Sequence, residues 1–502
     1  MAAGDRPVLV GAGQITSHWQ PGDGAEAAPS PRGLAVSASQ KALADAGLQA
    51  GDIDTLAVAR LTSDSIPRPR YPFGQNSNLP GTIARDLGAA PRHAIYEIAG
   101  GQSSQKLVNE MAGRIHAGET DIALITGSEA NRTVKAAQKA GLELDWSDSA
   151  DLDVEDRGMG PMLLNRTEIK HGLVLPAYFY ALFENVFAHK AGETRDQHRH
   201  TMARLFAKFA AVARDNPYAQ FPVDFDADFL ATPSRDNYPF ADPFLKWLMA
   251  QDSVNQAAAV IMMSESRADA LNIAPDKRVY LHGSGEAIDS HISERPRLDG
   301  SWAMQAALSR ALDQAGLDSA QIDIFDLYSC FPCAVFSSMA VLGLDPETET
   351  RPLTVTGGLP FFGGPGNNYS LHAIASMAER LRARPGAFGL VLANGGWMTK
   401  EAAGVWSTQR PERFTPTEAA ATPDETVSLD PAPTSGTLES YTVTHGRDGP
   451  DKGIIFARTA SGDRFLANAS PAALDRLCRD GSPIGAAVTT RHADEVNTFD
   501  FA

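Results

Sequence analysis

Two α/β lobes related by duplication are the fold class that this sequence of 502 residues predicts. Three segments recur in the same order about 270 residues further on. Ala42, Leu43, Ala46, Gly47, Leu48, Ile53 and Asp54 return as Ala311, Leu312, Ala315, Gly316, Leu317, Ile322 and Asp323, seven identities in 13 positions. Upstream, Leu9, Gly11 and Gly13 match Leu281, Gly283 and Gly285. Downstream, Arg114, Gly118, Leu124 and Gly127 match Arg382, Gly386, Leu392 and Gly395. Solenoid repeats have periods of roughly 20–50 residues, so a repeat this long marks a doubled domain.

The first copy opens with a buried strand over residues 7–10, running into Gly-Ala-Gly, which is expected to form a tight loop. A helix follows over 34–46, ended by Gly47 in the position where a left-handed backbone favours glycine. Then come a strand over 55–59, a helix over 102–117 closed by Gly118, and an apolar strand over 122–126. The order β-α-β-α-β argues for a parallel or mixed sheet with helices on both faces. The second copy predicts strands at 279–282, 324–328 and 389–393, with helices at 302–315 and 369–382. Between the copies, residues 131–237 turn aromatic and His/Arg-rich. LPAYFYALFENVFAHK and RHTMARLFAKFAAVARDNP read as amphipathic helices of a lid, in which Tyr178, Phe179 and Phe183 form a packing face. The strand AAAVIMMS at 257–264 returns the chain to the first sheet.

Past Ser407 the chain becomes rich in Pro, Thr, Ala and Glu without hydrophobic period, which reads as a linker. SYTVTH, GIIFART and RFLANA then alternate as short strands, with a helix over 471–479, predicting a small β-barrel of OB type. The expected division is 1–130 with 238–275, a lid at 131–237, a second lobe at 276–408, a linker at 409–435 and a terminal domain at 436–502.

With 44 basic against 61 acidic residues the net charge is −17, which speaks against a nucleic-acid partner. The longest apolar run, 257–263, falls short of the ~20 residues of a membrane span. The amino terminus has no signal-peptide pattern, and three cysteines make no disulfide framework, so a cytoplasmic location is expected. No metal site is expected: Cys330 and Cys333 form a single C-x-x-C, and a four-cysteine site needs two.

GGQSSQ at 100–105, DLYSCFPCAVF at 326–336 and GGLPFFGGPGNN at 357–368, set in twin halves around a lid, resemble the thiolase superfamily over residues 1 to about 407. The match is to the thiolase-like branch with an additional carboxyl-terminal domain, similar to the sterol-carrier-protein-type thiolases. The resemblance implies a five-layer αβαβα fold, acyl-CoA as small-molecule ligand, no tightly bound cofactor, and acetyl-CoA acetyltransferase ancestry. In that family a Cys at the amino end of the first-copy helix is acylated. A His in a GHP motif activates it, a second Cys moves the α-proton, and the first residue of NEAF or HDCF holds an oxyanion water.

Alignment on Gly118 and Glu119 puts the nucleophile position at Gly101, and GGLPFFGGP puts the activating His position at Gly364. The second Cys position falls within 392–394, where there is no thiol, and Tyr328 stands first in the HDCF-like motif. Losing nucleophile and base together costs on the order of 10⁶ in rate where such a pair has been deleted, so the family's own reaction is not expected.

The remaining catalytic candidates are Tyr328, Cys330, His372 and Ser103. Gly363, Gly364, Asn367, Asn368 and Asn394 are candidates for the thioester or oxyanion region. Tyr328 is an acid or base, or a buried hydrogen-bonded phenol. Ser103 and Ser104 are hydroxyl nucleophiles or helix caps, with capping favoured. Cys330 reads as a motif residue and Cys333 as core. His372 is a base or a structural helical histidine. Three functions follow: an altered acyltransferase that binds CoA thioesters, an aldolase-like lyase on β-hydroxyacyl-CoA using Tyr328, or a non-catalytic acyl-CoA binder. Both a monomer and a homodimer joined through the edge strand at 95–100 are compatible with the sequence.

Overall fold

The computed structural model describes residues 4–67, 70–423, 425–479 and 481–502. The first lobe runs β1 (Pro7–Thr16), α1 (Pro31–Ala46), β2 (Thr55–Val58), α2 (Leu79–Leu87), β3 (His93–Tyr96), α3 (Ser103–Ala117) and β4 (Ile122–Glu129). The insertion adds α4 (Asn131–Ala140) and the two-residue β5 (Glu155–Asp156). Its lid helices are α5 (Arg166–His171), α6 (Pro176–Ala191), α7 (Arg195–Arg214) and α8 (Ala227–Ala231), and it ends in the short strands β6 (Pro239–Ala241) and β7 (Phe244–Leu245). β8 (Gln256–Ser264) then enters the first sheet between β1 and β4, followed by α9 (Glu265–Ala270).

The second lobe repeats the plan with β9 (Val279–Ile288), α10 (Trp302–Ala315), β10 (Ile324–Asp326), α11 (Pro332–Leu342), α12 (Tyr369–Ala383), β11 (Phe388–Gly395) and β12 (Lys400–Ser407). Its counterpart of β3 is not a strand. The amides of Phe325 and Leu327 donate to the carbonyls of Pro352 and Leu353, which lie beside β10 as irregular chain. The lobes join edge to edge through the antiparallel pairs Val8–Tyr280 and Leu9–Val279, giving one sheet in the order β10-β11-β12-β9-β1-β8-β4-β2-β3-β5. Buried side chains of α3 and α12 share a core with strands of both lobes, while α1 and α2 cover one outer face and α10 and α11 the other. These are the five layers.

The Gly-Ala-Gly of residues 11–13 lies inside β1 rather than in a tight loop. The reason is packing. A Cβ on Gly11 would stand 2.5 Å from the Ala42 carbonyl oxygen, and one on Gly13 2.5 Å from the Ala42 amide nitrogen. Gly283 and Gly285 meet α10 in the same way, a Cβ there standing 2.7 Å from the Ala315 nitrogen and 3.1 Å from the Ala307 Cα. In both copies the missing side chains let a helix press on its strand.

Beyond β12, residues 409–423 and 425–434 form a strap that is pinned at several points. Arg6 donates to the carbonyls of Pro411 and Glu412, Phe414 is buried in the middle core, and the amide of Val427 donates to the Glu294 carbonyl. The terminal domain comprises β13 (Ser435–Gly446), β14 (Gly449–Arg458), β15 (Arg464–Ala469), α13 (Pro471–Leu477), β16 (Ala487–Ala493) and β17 (Val496–Phe501). Its strands close in the order β13-β14-β15-β17-β16-β13, with β15 and β17 parallel. The lid strands β6 and β7 extend this sheet through the pairing of Ala241 with Thr444. Among the described residues no helix is long and apolar enough to cross a membrane.

Candidate functional site

The amino end of α3 and the turn before α12 face each other where the lobes meet. Gly101 precedes α3. A Cβ on it would stand 3.0 Å from Cζ of Tyr328 and closer still to the Tyr328 hydroxyl and the Asn394 carbonyl oxygen. The phenol therefore fills the space that a side chain at Gly101, the position the resemblance aligns with the family's nucleophile, would take. Gly364 differs, because a Cβ there meets its neighbours at 3.4–3.6 Å, ordinary contact, so a side chain at this position is not blocked at its Cβ. Gly363 adopts a φ of 116°, and a side chain on it would strike Gln256 and Val254.

Tyr328 follows β10 and stands edge-on to Tyr369, ring centroids 5.2 Å apart. Its hydroxyl has no hydrogen-bond partner among the described residues. Burial, with the acidic groups of Cys330 and Glu401 nearby, holds the phenol well above the ordinary tyrosine range. Burial likewise pushes the Cys330 thiol up to about 12. Asn394 on β11 reaches the same place, donating from Nδ2 to the Tyr180 hydroxyl at 3.1 Å and toward Cys330 Sγ at 3.9 Å. Its Oδ1 accepts from the Met398 amide. Across the strand pair from Asn394 stands Glu401, which is buried, with both carboxyl oxygens unpartnered among the described residues. Burial holds this carboxyl well above the usual range, against the pull of buried Arg295. Tyr328, Cys330, Tyr180 and Glu401 thus form a buried cluster in which burial favours the protonated form of each group, and among the described residues no hydrogen bond joins a base to Tyr328 or Cys330.

The other candidates are used structurally. The hydroxyls of Ser103 and Ser104 donate to the Asn367 carbonyl, at 3.4 and 2.9 Å, rather than capping α3. Asn367 receives the Gly100 amide on Oδ1 and gives Nδ2 to the Arg60 carbonyl and Ser65. Asn368 gives Nδ2 to the Gly127 carbonyl. Both amide groups clamp the glycine-rich turn to the first lobe and direct no donor to Tyr328. His372 is fully buried, its Nδ1 2.8 Å from Gln14 Oε1, with Phe362 edge-on to the ring. Burial lowers it to about 3, so it is a neutral imidazole, and no hydrogen bond joins it to Tyr328, Cys330 or Ser103 among the described residues. The structure gathers Gly101, Tyr328, Cys330 and Asn394 and leaves His372 outside them. Cys333 is a core thiol donating to the Tyr180 carbonyl, and its amide donates to Glu184.

Sequence reasoning missed Tyr180, Glu401 and Arg295. Tyr180 sits in the aromatic run read as a packing face, where Phe179 does stack on Trp397. The signal for Glu401 is an acidic residue beside Lys400 at the start of a strand that is otherwise mostly small and apolar, KEAAGVWS.

The geometry is that of a thiolase-type scaffold of two joined α/β lobes. Comparison agrees. A monomeric SCP2-thiolase-like protein type 1 from Mycobacterium smegmatis matches with 34% identity over 100% of both chains and a TM-score of 0.83. Residues 416–495 match the family described as the thiolase-like protein type 1 additional C-terminal domain. The chain belongs to the SCP2-thiolase-like proteins of the thiolase superfamily. The match to the first curated relatives spans about a third of their length. The cytosolic acetyl-CoA acetyltransferase of Gibberella zeae, for example, is 26% identical over 141 residues, 28% of this chain and 33% of that one. An Ltp2-ChsH2(DUF35) aldolase shares the fold at 19% identity and a TM-score of 0.58, over 82% of this chain and 100% of its own.

Proposed function

We propose that this protein binds acyl-CoA thioesters and does not form an acyl-enzyme. The observation that carries the reading is the Tyr328 hydroxyl standing where a side chain at Gly101 would lie. A neutral phenol there accommodates a thioester carbonyl as hydrogen-bond acceptor, and Cys330 and Asn394 stand beside it. Among the described residues no hydrogen bond joins a base to Cys330 or Tyr328, and burial favours the protonated form of the one carboxyl of the cluster, Glu401. The test is calorimetric titration with acetyl-CoA and acetoacetyl-CoA, together with a thiolysis assay. Saturable binding without turnover is expected. Cleavage of acetoacetyl-CoA by CoA, or no binding of any CoA ester, refutes the reading.

A second reading, a lyase on β-hydroxyacyl-CoA, draws on the unpartnered state of the same hydroxyl. As a donor rather than a base, Tyr328 would support an enolate oxygen formed by carbon–carbon cleavage. Release of a carbonyl product that disappears in Tyr328→Phe separates it from pure binding. The terminal barrel is read as OB-like from its strand order and from the helix between its third and fourth strands.

A further inference from the structure

A cleft of about 480 Å³ opens in the first lobe, apart from the Tyr328 cluster, between the turn after β2, the start of α4 and the loop that follows α4. Its volume suits a small molecule. Glu129, 3% exposed at the end of β4, lines it. Oε1 of Glu129 accepts from the amide and the hydroxyl of Thr62, both at 2.6 Å, while Oε2 has no hydrogen-bond partner among the described residues. Asp64, which also lines the cleft, accepts from the hydroxyls of Tyr71 and Tyr96. The walls carry Tyr71, Val134 and Trp146, the last held edge-on by Phe73 with centroids 5.3 Å apart. Glu143 stands exposed at the rim. Of the two arginines that line the cleft, Arg32 is engaged by Asp86 and Asp148, and Arg70 is exposed.

A buried glutamate with one carboxyl oxygen unpartnered among the described residues, a second carboxylate lining the same cleft and aromatic faces beside it favour positive charge on a partly apolar body. We propose that this cleft binds a small organic cation, an alkyl or arylalkyl ammonium. Its charge is received by Glu129 Oε2, and its apolar part lies against Tyr71, Trp146 and Val134. The groups facing Glu129 are Thr62 and Asp64 from the turn after β2, and Asp252 from the segment before β8. Burial, with the negative charges of Asp64 and Asp252, raises the carboxyl to about 7, and a bound ammonium favours its ionised form.

The test is titration calorimetry of the full chain with phenethylammonium, 2-phenylethanol and phenylacetate at pH 8. The ammonium is expected to bind at least about tenfold tighter than the alcohol, and phenylacetate more weakly than either. Affinity falls as the pH drops from 8 to 6 and Glu129 takes up its proton. The near-isosteric Glu129→Gln weakens the ammonium at least about tenfold. Glu143→Lys, at an exposed position where folding is not at stake, weakens it several-fold. Equal binding of ammonium and alcohol overturns the proposal, as does ammonium affinity unchanged in a folded Glu129→Gln. Should that variant not fold, indifference to both pH and Glu143→Lys overturns it.

Discussion

A side chain introduced at position 101 has to contend with the Tyr328 ring, whose Cζ would lie 3.0 Å from the new Cβ. Gly101→Cys alone is therefore expected to cost about 1–3 kcal/mol in chemical denaturation, the range of overpacked cores, and to gain no thiolysis. Combined with Tyr328→Ala, its cost should shrink by about 1 kcal/mol in a double-mutant cycle, since the two residues compete for one space. A second residue-scale prediction concerns His198, whose ring nitrogens each lie 2.7 Å from a carboxylate, Glu184 and Glu193. Burial opposes its charge, but the two carboxylates win and raise it to about 9. Its contribution, on the order of 2–3 kcal/mol, is fully present below its ordinary value of 6.5 and is lost as the pH rises through 9. Melting curves of wild type and His198→Gln should converge between pH 7 and pH 10. At this scale motif spacing singled out Gly101 and Tyr328, which the structure brings side by side, because scaffold glycines anchor the resemblance. The spacing did not reveal that Tyr328 fills the space of a side chain at Gly101, or that Ser103 and Ser104 bond Asn367, because these are contacts between distant segments.

Among the elements, β1 and β9 each carry a glycine pair that admits its own helix at backbone contact. Gly13→Ala and Gly285→Ala should each lower stability by about 1–3 kcal/mol, and by similar amounts, since each new Cβ strikes helix backbone. Urea unfolding of the two variants compares the copies directly. The edge strand β3, which the sequence left available for dimerisation, is instead paired in parallel by β5, Ile95 with Glu155 and Tyr96 with Asp156. Arg60 holds Asp156, and Arg157 binds Glu97 and Glu110. A short, charged strand on an edge blocks further pairing. The chain is therefore expected to sediment as a monomer, and Arg157→Ala, which frees β5, to produce larger species in analytical ultracentrifugation. The long helix α10 was legible to the residue, and α1 at its glycine-marked end but three residues late at its start. β3 is four residues long, β5 two, and β16 is mostly exposed and polar, so none shows an apolar alternation to read.

For the molecule as a whole, the terminal barrel is built into the catalytic-type scaffold. Ile454, Phe456 and Leu466 share one apolar core with the lid and the second lobe. Buried Arg464 pairs with Glu439 and donates to the carbonyls of Ser293 and Arg295. Truncation after residue 408 should give an insoluble chain or one with a melting temperature lowered by more than 10 °C, because it bares this core and strands those carbonyls, a penalty on the order of several kcal/mol. The duplicated lobes and a β-rich tail were visible as repeats and composition shifts. The docking was not, since the strap between them looks like an unstructured linker in one dimension. Two strands of the barrel's sheet, β6 and β7, are encoded nearly 200 residues before the rest, inside the lid. A gene that keeps the segment NYPFADPFL while losing its tail would therefore carry an orphaned ribbon, its edge at Ala241 left without the Thr444 partner.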